Sequence, residues 1–446
     1  MVPRQRASVV GPDSDRYALT LLVVGAIALA TRVMTAIVLD GLHHPHLEEY
    51  DVIARNMLAG RGFSFPHHGI VYHSYIAPMH VWVSVASYWL TGSIVAVMTL
   101  QIVVGTGQAL VTSVMARRLF GGWVAPLAAG SLVALHPGLV VYSASRSHPL
   151  IFDALFFTLA VLFTLRLADR QTAMRAAHLG LIVGLGMLSR VTILLVLPVA
   201  FVWLLWVTPR TSWRVILRNG IVACVCAAAT IGPWTVRTSL LHEQFVLTRT
   251  LGPEMFWRGN NPNASGTSYV DASRTVLSTL SVEDVQELEA QPDELAQAQW
   301  FRARATAFIL ENPLDFVRLT LLKFSYFWWY APTTGLLYPG AWLQLYSAYY
   351  LSALILAGIG VSLAGRVWSG RARITLLIGA LLLVLSSFQS LFYVEGRHRW
   401  GVESLILVFS GGGVASLLAR RRAFGAGTPL TDGGMRDGSE PPRGDC

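Results

Sequence analysis

Acidic side chains cluster directly after the first long hydrophobic segment of the chain. Residues 44–64 read HPHLEEYDVIARNMLAGRGFS and place Glu48, Glu49 and Asp51 just beyond the apolar run 17–39. Carboxylates at the mouth of a membrane span are costly unless they serve a function. A carboxylate in such a place can act as a general base that removes a proton from an acceptor hydroxyl. Glu48 and Glu49 are therefore candidate catalytic residues, and Asp153 in the second outer loop is a third.

A second group of side chains could hold an anion beside these carboxylates. Cations hold the phosphate of a leaving group and stabilise the charge that develops on it. Residues of this kind, with one further acid, lie in segments predicted to face the same side of the membrane. They are Asp153, Arg190, Arg237, Lys323, Arg397, His398 and Arg399. The combination suits transfer from an anionic lipid donor, which needs no soluble nucleotide sugar.

Each of these residues also has a purely structural interpretation. An acid just outside a span is commonly solvated, and an Arg at a span edge commonly anchors a lipid headgroup. Seven of the twelve histidines lie in the first outer loop, at spacings that match no closed zinc motif. Solvated histidines are thus the simpler interpretation, and a divalent metal stays possible rather than required. The seven are His43, His44, His46, His67, His68, His73 and His80.

The composition is that of a polytopic membrane protein. Hydrophobic residues make up 54% and charged residues 13% of the 446 positions, with a mean hydropathy of +0.52. A soluble domain carries about a quarter charged residues. The net charge of +9 requires no nucleic-acid partner, because cytoplasmic loops concentrate Arg. Cys224, Cys226 and Cys446 form neither a disulfide framework nor a metal-ligand spacing.

Apolar runs long enough to cross a bilayer predict an all-α protein with about ten transmembrane helices. We divide the apolar run at Ser189-Arg190 into two spans and treat 77–91 as interfacial. With this assignment, the Arg residues that flank the spans, and both termini, lie in the cytoplasm. The predicted spans are 17–39, 93–116, 121–142, 149–167, 176–190, 192–207, 214–236, 342–364, 374–394 and 401–419.

This topology divides the chain into five parts. They are a cytoplasmic tail 1–16, a catalytic transmembrane module 17–236 with its first outer loop 40–92, an extracytoplasmic loop 237–341, C-terminal transmembrane helices 342–419 and a disordered cytoplasmic tail 420–446. Two short loops, 143–153 and 394–401, complete the outer face.

The outer loops contain two predicted interfacial helices. Apolar residues recur at helical spacing over 47–58 and stop at Gly60, with the charged residues on the opposite face. The segment 313–330 begins at an Asn-Pro pair, which is typical of a helix start, and carries Lys323. Three charges make this second helix a poor membrane span, so we expect it to lie at the interface.

The motifs, taken in order, resemble a known family. EEYDVIARNMLAGRGFS resembles the first outer loop of the GT-C glycosyltransferases related to protein O-mannosyltransferases and the lipid A aminoarabinose transferase. The resemblance covers most of residues 17–420. The other stretches that carry it are ALHPGLVVYSASRSHPLIFDALFF, GLIVGLGMLSRVTILLVLP, PWTVRTSLL, FVLTRTLGPEMFWRGNNPNASG, ENPLDFVRLTLLKFSYFWW and EGRHRWGVESLIL.

The resemblance implies a membrane enzyme that transfers a monosaccharide, with inversion, from a polyprenyl-phosphate donor to an extracytoplasmic glycan, lipid or protein. It places the first-loop acid at Glu49, just before Tyr50, with Glu48 as its neighbour. It matches the second-loop acid either to Asp153 or to the position of His148. A bacterial inner membrane is the expected location, with the site facing outside. Metal dependence varies within the superfamily.

The resemblance also implies contacts to the lipid phosphate at Lys323, Arg397 and Arg399. The identities of the sugar and the acceptor stay open. The full set of predicted substrate-binding residues is Asp51, Tyr50, Arg190, Arg237, Asn260, Asn261, Lys323, Arg397, His398 and Arg399.

Two other classes of function are compatible with a polytopic chain. A lipid-linked sugar flippase or transporter would tend to show internal repeats and charges near the bilayer midplane. This sequence shows no half-to-half repeat, and its charges gather at the outer surface. A non-catalytic scaffold of the cell envelope gives no reason for acids and cations to converge on one face.

Overall fold

Long helices form nearly all of this computed structural model, which describes residues 12–271, 274–329, 340–364 and 370–425. The predicted all-α class is confirmed. The helices are α1 Pro12–Val38, α2 Glu49–Leu58, α3 Met79–Thr91, α4 Val95–Phe120, α5 Val124–Ala134, α6 Pro137–Ser145, α7 Leu150–Asp169, α8 Ala173–Met187, α9 Val196–Val207, α10 Trp213–His242, α11 Gly252–Arg258, α12 Val282–Glu289, α13 Glu294–Glu311, α14 Pro313–Trp328, α15 Gly340–Ala364, α16 Gly370–Gln389 and α17 Gly396–Gly425. Two short 3-10 helices, Val191–Leu195 and Leu277–Thr279, and a hairpin of β1 Phe65–His67 and β2 Ile70–Tyr72 complete the described elements.

Seven of the described helices are long and apolar enough to cross a membrane: α1, α4, α7, α10, α15, α16 and α17. The pair α5 and α6 makes an eighth if its two bent halves count as one span. The helix α8 and the segment Val191–Val207 are apolar but shorter, and they correspond to the two short spans predicted around Ser189-Arg190. The ten predicted spans thus correspond to seven full-length helices, one bent pair and two short helices. The predicted tails lie largely outside the described residues.

The predicted span 121–142 is not one straight helix. Its two parts meet at 51°, because Pro137 starts α6 and forces the preceding residue out of helical geometry. His136 accordingly has an extended ψ of 113°, and its ring accepts a hydrogen bond from the backbone N–H of Leu139. The break therefore has a local cause that is written in the sequence.

The amphipathic helix predicted in the first loop is α2, but its acidic face is not exposed. Asp51 is 4% exposed. Its carboxylate accepts hydrogen bonds from the hydroxyl of Tyr88 on α3 and from Nε of Arg55, the latter at 2.8 Å. Asp51, expected on the face opposite the apolar residues, is therefore buried, because α3 covers that side of α2. The predicted interfacial segment 77–91 is α3 itself.

Close packing around α17 depends on its glycines. A Cβ on Gly413 would lie 2.1 Å from the carbonyl oxygen of Leu356 on α15. A Cβ on Gly411 would lie 2.5 Å from the carbonyl oxygen of Ala125 on α5. Real Cβ atoms do not approach so closely, so α17 can lie between α15 and α5 only with glycine at these positions.

The four predicted outer loops meet at one end of the helix bundle. The long loop is built from α11 to α14, and backbone hydrogen bonds join it to the first and fourth loops. A further bond joins the first and second loops. These bonds run from Ser147 N–H to His46 O (3.0 Å), from Thr250 N–H to Ser74 O (2.8 Å) and from Val394 N–H to Gly266 O (2.9 Å). Residues far apart in sequence are thus brought together at this end.

Candidate active site

Glu48 is the N-cap residue of α2 and lies between two groups from the second outer loop. Its Oε1 is 3.5 Å from Nη1 of Arg146, and its Oε2 is 3.7 Å from Nε2 of His148. Burial raises the pKa of Glu48 to about 7, although the positive charges of Arg397 and Arg146 oppose that rise. At neutral pH this carboxylate is both partly ionised and a stronger base than a solvated glutamate.

The protonation of His148 is fixed by the start of α7. Its Nδ1 accepts a hydrogen bond of 3.0 Å from the backbone N–H of Leu150, so Nε2 carries the proton of the neutral ring. Burial lowers the pKa of His148 well below its ordinary value, and the nearby Arg side chains act in the same direction. A neutral imidazole therefore presents its N–H toward Glu48.

Asp153 holds two residues at the break after α8. Its Oδ2 is 2.8 Å from Nε of Arg190, and its Oδ1 accepts a hydrogen bond of 2.5 Å from the hydroxyl of Ser189. Both carboxylate oxygens have partners, and the side chain is almost fully buried. Asp153 thus holds the side chain of Arg190 in place, and the catalytic role expected for it from the sequence stays a prediction.

Arg397 is held in a similar way at the start of α17. Its Nε is 3.0 Å from Oε2 of Glu395. Within the described residues, neither Arg397 nor Arg190 makes a hydrogen bond through its Nη atoms, and each side chain is about one quarter exposed. The next residue in the chain, His398, lines a small cavity of about 20 Å³ together with Arg190. Two oriented guanidinium groups thus have terminal nitrogens available to an anion.

Arg399 lies elsewhere, although only two positions separate it from Arg397. Its side chain is 1% exposed, and its Nε is 3.1 Å from Oε2 of Glu403. Its Nη atoms donate to the carbonyl oxygens of Phe327 and Trp329 and to the hydroxyl of Tyr346. The structure therefore does not support the expected phosphate contact at Arg399, because its donors already join α17 to α14 and α15.

Lys323 and the two asparagines also have partners within the protein. The ammonium group of Lys323 is buried and donates to the carbonyl oxygen of Gly259 (2.9 Å) and to Oδ1 of Asn260 (3.0 Å). Burial lowers the pKa of Lys323 to about 7. Asn261 donates to the carbonyl oxygen of Trp257 at 2.8 Å. This group joins α14 to the segment after α11.

Two further predicted contact residues lie beside the first loop. Arg237 belongs to α10, which extends past the predicted span, and its Nη1 donates to the carbonyl oxygen of His73 at 2.6 Å. The ring of Tyr50 meets the rings of His80 and His148 edge-on, with centroid separations of 5.0 and 5.9 Å. Arg237 thus anchors the first loop, whereas Tyr50 lines the carboxylate site.

Two cations of this site were not expected from the sequence. Arg146 contacts Glu48, and Arg249 lies close enough for its charge to act on Tyr50 and His398. Both are Arg residues in outer loops, where the positive-inside pattern does not require them. An Arg in an outer loop without a topological reason is a feature of the sequence that could have identified both residues.

A possible metal-ligand group lies apart from these residues. His67, His68 and Glu254 have ligand atoms within 4.8 Å of one another. In the part of the chain that the structure describes, no other set of three such side chains does so. Neither Glu48 nor Glu49 belongs to this group.

Known proteins are similar to this chain in sequence over one segment and in fold over most of its length. Residues 75–235 match the family model of the dolichyl-phosphate-mannose-protein mannosyltransferases. The structure is similar to archaeal oligosaccharyltransferase AglB from Archaeoglobus fulgidus in complex with an inhibitory peptide and a dolichol-phosphate, with a TM-score of 0.57 and 12% identity over 92% of this chain and 51% of that chain. The chain has a GT-C fold. The resemblance expected from the motifs is thereby confirmed.

Two further solved structures are similar to most of this chain. The A. fulgidus oligosaccharyltransferase tethered with an acceptor peptide gives a TM-score of 0.55 and 13% identity over 92% of this chain and 50% of that chain. This chain spans about half the length of these archaeal proteins. ArnT from Cupriavidus metallidurans bound to undecaprenyl phosphate gives a TM-score of 0.40 and 15% identity over 91% of this chain and 78% of that chain. No curated protein sequence matches.

Proposed function

We propose that the chain is an integral-membrane glycosyltransferase that moves one monosaccharide from a polyprenyl-phosphate donor to an extracytoplasmic acceptor. The observation that carries this proposal is a mostly buried carboxylate, Glu48, whose pKa responds to the charge of Arg397 and whose neighbour His148 responds to the charges of Arg190 and Arg397. Support for a lipid donor comes from AglB, which shares the fold and is described in complex with a dolichol-phosphate.

In this proposal Glu48 is the general base. Its carboxylate takes the proton of an acceptor hydroxyl, whose oxygen then forms a bond to the anomeric carbon of the sugar. The bond from that carbon to the lipid phosphate breaks, and its electron pair leaves with the phosphate. A single displacement that uses one base inverts the configuration of the sugar carbon. The raised pKa of Glu48 suits this role, because a base is most effective when its pKa lies near the working pH.

Arg190 and Arg397 bind the leaving phosphate in the same proposal. Each guanidinium is oriented through Nε by a carboxylate, so its Nη atoms are already positioned when the lipid arrives. Oriented donors stabilise charge that develops in the transition state without reorganising at that moment. Asp153 and Glu395 are then positioning residues, since they act through the two Arg side chains.

The sequence favoured Glu49 as the base, and the geometry favours its neighbour. Glu49 is the first residue of α2 and is partly exposed, with no hydrogen bond or ion pair to the described residues. It can therefore meet an acceptor directly. Glu48, in contrast, combines burial, a raised pKa and an oriented N–H from His148. We assign proton removal to Glu48 and acceptor contact to Glu49.

Lipid analysis of a deletion strain tests the proposed function. Membranes lacking the protein should accumulate a polyprenyl-phosphate-linked sugar, and the wild-type gene should clear it. The Glu48→Gln variant, expressed at the same level, should not clear it. Clearance by Glu48→Gln, or an absence of lipid-linked sugar in the deletion strain, would contradict the proposal. Accumulation confined to the cytoplasmic leaflet would instead identify a flippase.

A further inference from the structure

Two adjacent histidines at the tip of the β-hairpin face one buried carboxylate of the long loop. Nε2 of His67 and Nε2 of His68 lie 2.9 and 3.2 Å from the same atom, Oε2 of Glu254. Glu254 belongs to α11, which is far from the hairpin in sequence. The proposed transfer mechanism uses none of these three residues.

The turn of the hairpin brings the two rings to one side. Neighbouring residues of a strand normally point to opposite faces. Here His68 has a φ of 43° and Gly69 a φ of 77°, and the two imidazole centroids are only 3.8 Å apart. A positive φ is unfavourable for a residue with a side chain, so another interaction must offset it. The amide of Gln297 helps, since it donates to the carbonyl oxygen of His68 at 2.9 Å.

The carboxylate of Glu254 is also held in place. Its Oε1 accepts hydrogen bonds from Nε and Nη2 of Arg258, at 3.0 and 2.5 Å. That pair fixes the group so that Oε2 points at the two rings. The side chain of Glu254 is 3% exposed, whereas each histidine is 17% exposed, so the group is open to solvent on the histidine side. Outer partners that orient a ligand in this way are typical of metal sites.

We propose that His67, His68 and Glu254 bind one divalent transition-metal ion, with Zn²⁺ as the expected ion. Two imidazole nitrogens and one carboxylate oxygen form a known zinc ligand set that leaves a fourth position for water. Ligand atoms at about 2.0–2.1 Å from a tetrahedral zinc are about 3.3–3.4 Å apart. The two N···O separations here, 2.9 and 3.2 Å, need only a small expansion. Imidazole ligands favour zinc, copper or nickel over magnesium or calcium.

The ion would tie the hairpin to α11. The chain from α11 continues directly to Gly259 and Asn260, which accept hydrogen bonds from the buried Lys323 of α14. One ion at the hairpin tip therefore braces two outer loops around the end of the helix bundle. This role is structural and does not depend on the identity of the sugar donor.

Metal binding by the purified protein tests this site. The full chain, isolated in detergent with an affinity tag other than polyhistidine, is stripped with a chelator and titrated with ZnCl₂ and, separately, CoCl₂. The measured quantities are bound metal per chain and the visible absorption of tetrahedral Co²⁺. The test variant is His67→Asn/His68→Asn, and the matched control is His43→Asn/His44→Asn, which removes two exposed histidines of the same loop.

The wild-type protein and the control should bind one ion per chain and show the Co²⁺ absorption, and the test variant should do neither. Zn²⁺ should also raise the melting temperature of the wild-type protein, because a ligand that binds only the folded state stabilises it. Should the double variant fail to fold, His68→Asn alone retains the bond between His67 and Glu254. Its metal affinity should fall more than the roughly 10–100-fold that loss of an outer partner costs. Equal metal affinity in the wild-type protein and either test variant would overturn the proposal, as would no binding by the wild-type protein.

Discussion

The two adjacent carboxylates at the start of α2 have different surroundings. Glu48 is mostly buried between Arg146 and His148, whereas Glu49 is only partly buried and has no ion pair with the described residues. The sequence favours Glu49 through its place before Tyr50, but it does not reveal that the two carboxylates have different surroundings. The difference arises from the second outer loop, whose backbone fixes the proton of His148 on Nε2. Glu48 and Glu49 can therefore be distinguished by substitution.

Replacing Glu48 with Gln should reduce transfer by about 10²–10⁴-fold, the usual cost of losing a general base. Gln keeps the volume of the side chain but cannot take a proton. Glu49→Gln is the matched control, and we expect a smaller loss there because only acceptor contact is affected. Initial rates with equal amounts of folded protein check this. A larger loss for Glu49→Gln would return the base to the position favoured by the sequence.

The pH dependence of Glu48 should affect activity and stability in opposite directions. The base must be ionised, so transfer should rise as the pH increases through about 7. The pKa of Glu48 is higher in the folded state than in the unfolded state. The stability contributed by the protonated form is therefore present at low pH and is lost as the pH rises through about 7. Glu48→Gln should abolish both effects. It should raise the melting temperature relative to wild type more at pH 8 than at pH 5. Equal shifts at both pH values would contradict the raised pKa.

At the scale of a helix, the first turn of α17 carries two Arg residues with different tasks. Arg397 is partly exposed and faces the candidate site. Arg399 is buried, and its hydrogen bonds join α17 to the end of α14 and to Tyr346 of α15. The packing of three helices thus depends on Arg399, whereas Arg397 is available to a substrate.

Substitution of Arg397 and of Arg399 should separate these two roles. Arg397→Lys should leave the melting temperature near that of wild type and still lower turnover, since Lys cannot bind a phosphate in bidentate fashion. Arg399→Ala should destabilise the protein by about 3–5 kcal/mol, because it leaves the buried Glu403 without its Arg partner. Thermal unfolding in detergent and turnover per folded molecule distinguish these effects. A stable Arg399→Ala protein with poor turnover would instead support the phosphate contact at Arg399.

Part of this arrangement could be predicted from the sequence, for a physical reason. Membrane topology forces the charged loops onto one face, so the acids at Glu48 and Glu49 could be placed near Arg190 and Arg397. The partners of Arg399 could not be predicted, because the alternation of charges does not reveal which Arg faces inward. The bend after α5 could have been predicted, since Pro137 lies inside the run that was taken as one span.

At the scale of the whole molecule, every proposed step depends on the orientation of the bundle in the membrane. The end opposite the candidate site also gathers Arg side chains. Arg118 pairs there with Asp169 at 2.6 Å, and Arg373 donates to the carbonyl oxygen of Val207 at 3.3 Å. These residues belong to the face that the Arg distribution assigns to the cytoplasm. The two ends of the bundle should therefore differ in their access to reagents added outside the cell.

Labelling of single cysteines checks this orientation. In a background without Cys224, Cys226 and Cys446, an impermeant thiol reagent should label Ala59→Cys and Ala290→Cys in intact cells. It should label Pro209→Cys only after the membrane is opened. All three positions are exposed in the structure. Protection of both outer positions in intact cells would reverse the topology.

Acids and Arg side chains are present in equal number around the candidate site, and under the proposed function this balance bears on how a catalytic cycle is completed. With Glu48 ionised, four acids accompany four Arg side chains and leave the empty site nearly neutral. The acids are Glu48, Glu49, Asp153 and Glu395, and the cations are Arg146, Arg190, Arg249 and Arg397. A phosphodiester donor carries one negative charge, and the phosphate monoester that leaves carries between one and two, since its second pKa is about 6. An uncompensated cluster of cations would hold that product more tightly than the donor. If the proposed function holds, a balanced cluster lets the spent lipid depart, so that the next donor can enter.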